Sequence, residues 1–380
     1  MSQGFPEPSL ILSGQILQGR RIVHLTSASQ KSILRSFAAF ASTLNHLRHL
    51  VRHTASSLPL ETRCRTSEAF SAAVGHQLHA FDLWCARIEE HINLAQQGKY
   101  GSGHIVSLLS LEQRVSHRLA GSFVILLDVI RIIESRNDRI TPSAMCSLIL
   151  NTLLEAIRAR LTVNDTTTVK ALADVLRASA EPLWSNLGKW LRDGIPIRAG
   201  FADDHHKPVP TWDEKEFFIR INPLMDIGDP EFWDGGYTLP PRHTIPGTLN
   251  NGYAVNEDNI PIFLVHVAHA ILEAGKAVGL LRALDMVHLV GDNWLKEWTK
   301  FEFLTKSLPL EGLGKGLEDL ISDTLLRSCR LVQSSLQQIL IEECDLWKHL
   351  QGLENVCLMT RGDAMSHFVE KLFARVGIIP

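Results

Sequence analysis

Residues 181–194 read Glu-Pro-Leu-Trp-Ser-Asn-Leu-Gly-Lys-Trp-Leu-Arg-Asp-Gly. Leu183, Trp184, Leu187, Trp190 and Leu191 recur in steps of three and four, which is one apolar face of an amphipathic helix. Gly194 stands where such a helix stops, because glycine takes the left-handed conformation without a Cβ penalty. The same spacing extends in both directions. Leu108, Leu111, Val115, Leu119, Phe123, Leu126, Ile130 and Ile133 form one face upstream, and Leu320, Ile321, Leu325, Val332, Leu336 and Ile339 form one downstream. The periodicity predicts helices over 27–54, 67–96, 102–133, 142–161, 168–178, 182–192, 261–288, 317–340 and 363–375. Pro142 and Pro182 suit first helical turns, where the missing N–H costs nothing.

Period-two alternation is confined to 216–221, a short and isolated strand candidate, whereas a parallel-sheet enzyme needs several such runs between helices. The expected fold is all-α, an elongated stack of antiparallel helical bundles. One segment breaks the pattern: 195–258 holds eight of the sixteen prolines. It also carries Trp212, Phe217, Phe218, Phe232 and Trp233, so parts of it are expected to pack on the helices. A second break, 306–316, contains Pro309, Gly312, Gly314 and Gly316 and reads as a hinge between bundles.

Composition narrows the function. The 380 residues are 45% hydrophobic and 21% charged, with a net charge of −3. That excludes a disordered charged tail and gives no phosphate-tracking footprint across the chain. Six cysteines, sparse and unclustered, do not make a disulfide scaffold. No basic cluster precedes a long apolar run at the start. The apolar windows 119–133 and 260–272 fall short of the roughly 20 residues that span a bilayer and read as buried core helices. The expected compartment is the cytosol or nucleus.

Each candidate for chemistry has a plainer reading. His46, His49 and His53 share a helical face, but Arg48 and Arg52 beside them indicate a solvated basic surface rather than zinc ligands. His76 with His79, and His266 with His269, are further i, i+3 pairs, the latter read as satisfied core histidines. Asp203-Asp204-His205-His206 sits in the Pro/Gly-rich loop without a rigid support and reads as solvated polar chain. Gly312-Leu313-Gly314-Lys315-Gly316 lacks the spacing and Ser/Thr of a P-loop. Cys85, Cys146, Cys329 and Cys344 are single and read as small core residues. No catalytic residue, cofactor or metal ligand is assigned.

Three stretches carry a family resemblance: 181–194 followed by Glu216-Phe217-Phe218-Ile219; 260–276, an apolar helix ending in Gly275-Lys276; and 346–373, which contains Gly362-Asp363-Ala364-Met365. Their order resembles the gamma-tubulin complex component family, which includes spindle-pole-body components, over about 67–373. The Gly-Asp element looks closest to the fifth-type component. The resemblance marks Trp184, Trp190, Gly194, Glu216, Phe217, Phe218, Gly275, Lys276, Gly362, Asp363 and Met365 as structural motif positions.

The resemblance implies a non-catalytic subunit of the gamma-tubulin ring complex in microtubule nucleation. Its partners would be other complex components and gamma-tubulin, with no nucleic acid and no membrane. It would reside in the cytoplasm and cytoskeleton, at the microtubule-organising centre or spindle pole body. It also implies an N-terminal bundle domain over 1–290 and the incomplete start of a gamma-tubulin-binding domain over 291–380. The alternative from another class is a helical tethering or trafficking scaffold; a metal-dependent helical enzyme using the His46 face is the third.

Overall fold

The computed structural model describes residues 26–57, 64–96, 107–119, 121–136, 140–196, 213–222, 224–225, 229–240, 259–290, 298–357 and 362–376. Helices dominate: α1 (Ser27–Ser57), α2 (Arg65–Gln96), α3 (Leu108–Leu119), α4 (Ser122–Arg136), α5 (Pro142–Thr162), α6 (Thr166–Asp193), α7 (Ala268–Ala283), α8 (Phe301–Lys306), α9 (Gly312–Glu342), α10 (Leu346–Cys357) and α11 (Gly362–Val376). Among the described residues the sheet is a single two-stranded ladder, β1 (Arg220–Ile221) antiparallel to β2 (Tyr237–Thr238), with Arg220 opposite Thr238.

Helix α6 is the spine, and α2, α5, α7 and α8 pack around it. Asp165 caps its N-terminus by accepting from the Thr168 N–H, which satisfies one of the orphan donors of the first turn. Its buried positions include Leu172, Val175, Leu176, Leu183, Trp184, Leu187, Trp190 and Leu191. The helix ends at Gly194, which has φ +63° and donates its N–H to the Trp190 carbonyl.

The continuity of α6 corrects the expected break at Pro182, which lies inside a 28-residue helix instead of starting a new one. A mid-helix proline removes one i→i−4 bond and carries a cost of roughly 3 kcal/mol. Tertiary contacts on both sides of Pro182 offset it. The Glu181 carboxylate accepts from the Phe301 N–H at 2.9 Å. Trp184 donates Nε1–H to the Thr299 carbonyl at 2.8 Å and stacks on Trp298, centroids 4.8 Å apart. Arg177 donates Nε–H to Thr305 Oγ1 at 3.1 Å. Positions 177, 181 and 184 thus form one stripe that fastens α8 and the strand of chain before it.

Three further differences have local causes. The expected helix 102–133 is two helices, α3 and α4. The break falls beside Gly121, where an added Cβ would meet Thr168 Oγ1 at 1.9 Å. The glycine run 312–316 is the first turns of α9, and the hinge reading is corrected to the short turn between Lys306 and Gly312. Arg158 of α5 donates Nε–H to the Gly314 carbonyl at 2.7 Å and pairs with Glu318, and an added Cβ on Gly314 would meet the Leu161 side chain at 3.0 Å, so Gly314 lets α9 start close against α5. Lastly, the expected helix 261–288 begins as a 3-10 segment, Ile262–Val267, and continues as α7. Together Ile262–Ala283 make 22 residues, long and apolar enough to span a bilayer by length and composition, yet 61% of the most apolar window is buried inside the protein. The core-helix reading holds, although the apolar stretch is longer than the window 260–272 read from the sequence.

Glycines let α6 and α7 cross closely. An added Cβ on Gly275 would lie 2.1 Å from the Trp190 indole, and one on Gly279 would lie 2.8 Å from the Ile195 Cβ. Trp190 is fully buried and donates Nε1–H to the Ile271 carbonyl at 2.8 Å. Gly275→Val forces the indole from this seat. The expected loss of stability is about 1–3 kcal/mol, the usual cost of overpacking a filled core, read as a lower urea midpoint with an unchanged m-value.

Candidate functional site

The sequence motifs that lie far apart along the chain meet around this crossing. Phe217 packs on Trp190 with centroids 6.2 Å apart, Tyr237 on Trp190 at 5.7 Å, and Phe217 on Phe218 at 4.6 Å. Both phenylalanines are buried. Lys276, beside Gly275, reaches back across the same region and donates Nζ–H to the Trp233 carbonyl at 2.6 Å. Burial pushes the Lys276 ammonium down from its ordinary value, while Asp234 and Glu273 pull it up.

Glu216 does the work of a helix cap from another part of the chain. Its carboxylate is 1% exposed and accepts the N–H groups of Arg65 and Thr66, each at 2.8 Å, and the Thr66 hydroxyl. These are the first residues of α2, whose free N–H groups have no partner within the helix. Burial raises the Glu216 carboxyl above the usual range, opposed chiefly by the bonds from Thr66 and Arg65. The carboxylate also stands near Cys64 and Cys146. Burial pushes the Cys64 thiol up to about 12, which keeps it protonated and unreactive.

The remaining candidates fall elsewhere. Trp184 is buried one stripe away, against Trp298 and Phe301. Gly362, Asp363 and Met365 do not join the cluster; they open α11, whose described side chains are exposed apart from half-buried Met365. His46, His49, His76 and His79 lie on exposed helix faces. His266 and His269 are also exposed, which corrects their reading as core residues: Phe263, Leu264, Val267 and Ile271 supply the inner face of that segment. Among the described residues no group of three His, Cys, Asp or Glu is placed to hold a metal. Cys146 and Cys329 are core residues, while Cys85 and Cys344 are half-buried. The side chain of His53, the tetrad 203–206 and Trp212 lie outside the described residues.

A groove of about 500 Å³ is lined by α7, α9 and α10. Ala277, Leu280, Leu336, Leu340 and Ile341 supply its apolar lining, with Trp233 and Trp347 beside them. Gln333 donates to Glu273 at 2.9 Å, linking α9 to α7 next to it. Trp347, which lines it, is 64% exposed, and Leu350 three positions on along α10 is 44% exposed. Large apolar side chains exposed together mark contact surfaces more often than they are left bare on a monomer. This surface was missed in the sequence because residues such as Leu336 and Trp347 carry the same periodic signal as any core position.

A sequence model of the family described as "Gamma tubulin complex component N-terminal" matches residues 2–343. The chain belongs to this family. Its relatives include gamma-tubulin complex component 6 of Homo sapiens, 28% identical over 112 residues, which is 29% of this chain and 5% of that protein. Gamma-tubulin complex component 2 of Mus musculus is 24% identical over 194 residues, 51% of this chain and 17% of that protein. The matched segments therefore span only a small part of the length of these curated relatives. Gly362–Met365, the element likened to the fifth-type component, lies beyond the matched residues.

Two outcomes follow from this geometry. Glu216→Ala strands the buried Thr66 N–H and hydroxyl and the part-buried Arg65 N–H, and is expected to cost about 1–3 kcal/mol, measured by urea unfolding. Because the folded-state carboxyl is raised, wild-type stability gains from Glu216 at low pH. That gain falls away as pH rises from the ordinary Glu range through the raised folded value. This downward component of the pH profile is absent in the variant. Separately, Trp347→Glu leaves unfolding within about 0.5 kcal/mol of wild type, as exposed substitutions do, while abolishing docking of any partner that covers the groove, read by pull-down.

Proposed function

We propose that this chain is a non-catalytic structural subunit of the gamma-tubulin complex, acting in microtubule nucleation at microtubule-organising centres. It assembles side by side with other complex components and takes part in holding gamma-tubulin. The observation that carries this reading is the family match over 2–343. The apolar groove and the exposed side chains of α10 and α11 support it, since stable association surfaces bring an apolar core inside a polar rim. The motif positions Trp184, Trp190, Gly194, Glu216, Phe217, Phe218, Gly275 and Lys276 act as the internal fastening of the subunit, and Gly362, Asp363 and Met365 open the segment that follows it. In this reading the N-terminal bundle domain spans 1–290, and 291–380 begins the gamma-tubulin-binding domain. The subunit works in the cytoplasm, at the spindle pole.

The test is affinity capture of the tagged chain from dividing cells, with fluorescence localisation in parallel. Recovery of gamma-tubulin complex components and a focus at the spindle poles is the expected result. A chain that stays monomeric, recovers none of them and distributes along membranes would overturn the proposal.

A further inference from the structure

Helix α1 has no acidic residue in its 31 positions, yet carries Lys31, Arg35, Arg48 and Arg52 with His46, His49 and His53. The whole chain has a net charge of −3, so the rest of the molecule is more acidic than the total shows. At 100° per residue, positions 31, 35, 46, 49 and 52 fall within about 120° of the helix circumference. All five are exposed. The one basic residue that faces the bundle, Arg48, is paired with Asp82 of α2. No carboxylate among the described residues pairs with Lys31, Arg35 or Arg52.

We propose that this stripe is an interface for a carboxylate-bearing helix face on a neighbouring protein subunit. The proposal rests on the reading of the chain as an assembly subunit and adds which surface is used and what charge faces it. Three observations select that occupant. From Lys31 to Arg52 the stripe is about 32 Å long, the length of another helix rather than of a small anion. Between its charges lie Ala39, Ser42 and Asn45, small side chains that let a second helix lie close. The Arg48–Asp82 pair shows how α1 already meets a carboxylate across a helix–helix contact.

The other anionic surfaces fit less well. A lipid headgroup layer calls for large apolar residues beside the bases, and α1 exposes none. A nucleic-acid backbone presents closely and regularly spaced phosphates, whereas no Lys or Arg stands between Arg35 and Arg48.

The experiment uses the full chain and a fluorescent alanine-based helical peptide with glutamates on one face. Fluorescence anisotropy at low and high salt measures its affinity. The charge-reversal variant combines Lys31→Glu, Arg35→Glu and Arg52→Glu. A charge-matched control combines Arg87→Glu, Arg327→Glu and Arg330→Glu, all exposed on other helices. Circular dichroism checks that both remain folded. The expected result is peptide binding that weakens with salt, falls about tenfold or more in the α1 variant, as the loss of three exposed ion pairs dictates, and changes less in the control. Equal weakening in both variants, or no effect of the α1 variant, overturns the proposal. So does tighter binding of phosphatidylserine vesicles or duplex DNA than of the peptide, which assigns the stripe to lipid or to nucleic acid. Affinity capture with the α1 variant separates this from the assembly reading. If complex components are recovered undiminished, the stripe proposal alone fails. If wild type recovers none, the assembly reading fails whatever the peptide does.

Discussion

The seat of Trp190 against Gly275 sets the geometry of the molecule's centre. Two helices, α6 and α7, come close enough that a single added carbon on Gly275 would overlap the indole. In return the indole N–H reaches the Ile271 carbonyl, so the largest buried side chain of the core leaves no polar atom unpaired. The other side of the ring is covered by Phe217 and Tyr237, which come from the segment between the two helices. A shift of α7 therefore disturbs that segment as well, and with it Glu216 and the start of α2. Close packing makes such a chain of contacts stiff, because interiors at crystal-like density transmit displacement instead of absorbing it.

Polar groups extend the same fastening outward. Glu216 takes the exposed end of a helix dipole and makes it an internal contact, which places negative charge where the N-terminal N–H groups favour it. The burial that makes the contact specific also raises the carboxyl, so part of the gain is returned as desolvation. Around α8 the arrangement is similar but less buried: Arg177, Glu181 and Trp184 each use a polar atom to hold the backbone or side chain of 299–305. The stability of the bundle thus depends on directional bonds between remote segments as much as on apolar area.

Much of this was legible in the sequence. The all-α class, most helix positions, the Pro142 start, the Gly194 stop and the inner face of 183–191 follow from spacing and helix-end chemistry that act over a few residues. The failures all involve long-range contacts overriding a local signal. Pro182 signals a helix start, and remote partners at 299–305 make it an interior residue. Glycines at 312–316 signal a break, and the approach of α5 makes them a helix. His266 and His269 sit among apolar neighbours, and only the rotation of that segment against the core shows them exposed. In the candidate site the motif residues were legible as motifs, but their convergence was not, since nothing local ties Glu216 to Arg65. The groove was invisible for the opposite reason: periodicity reports an apolar face without saying whether anything covers it.

The Glu216 cap has a temporal consequence. Its partners at Arg65 and Thr66 lie about 150 positions earlier in the chain. A ribosome adds roughly 5–20 residues per second, so the start of α2 waits on the order of ten to thirty seconds for its capping carboxylate. Trp184 likewise waits for Thr299, 115 positions later. During that interval the emerging helices present apolar faces whose final partners do not yet exist. These contacts therefore close late, when the segment after α6 has returned to both ends of what was made before it.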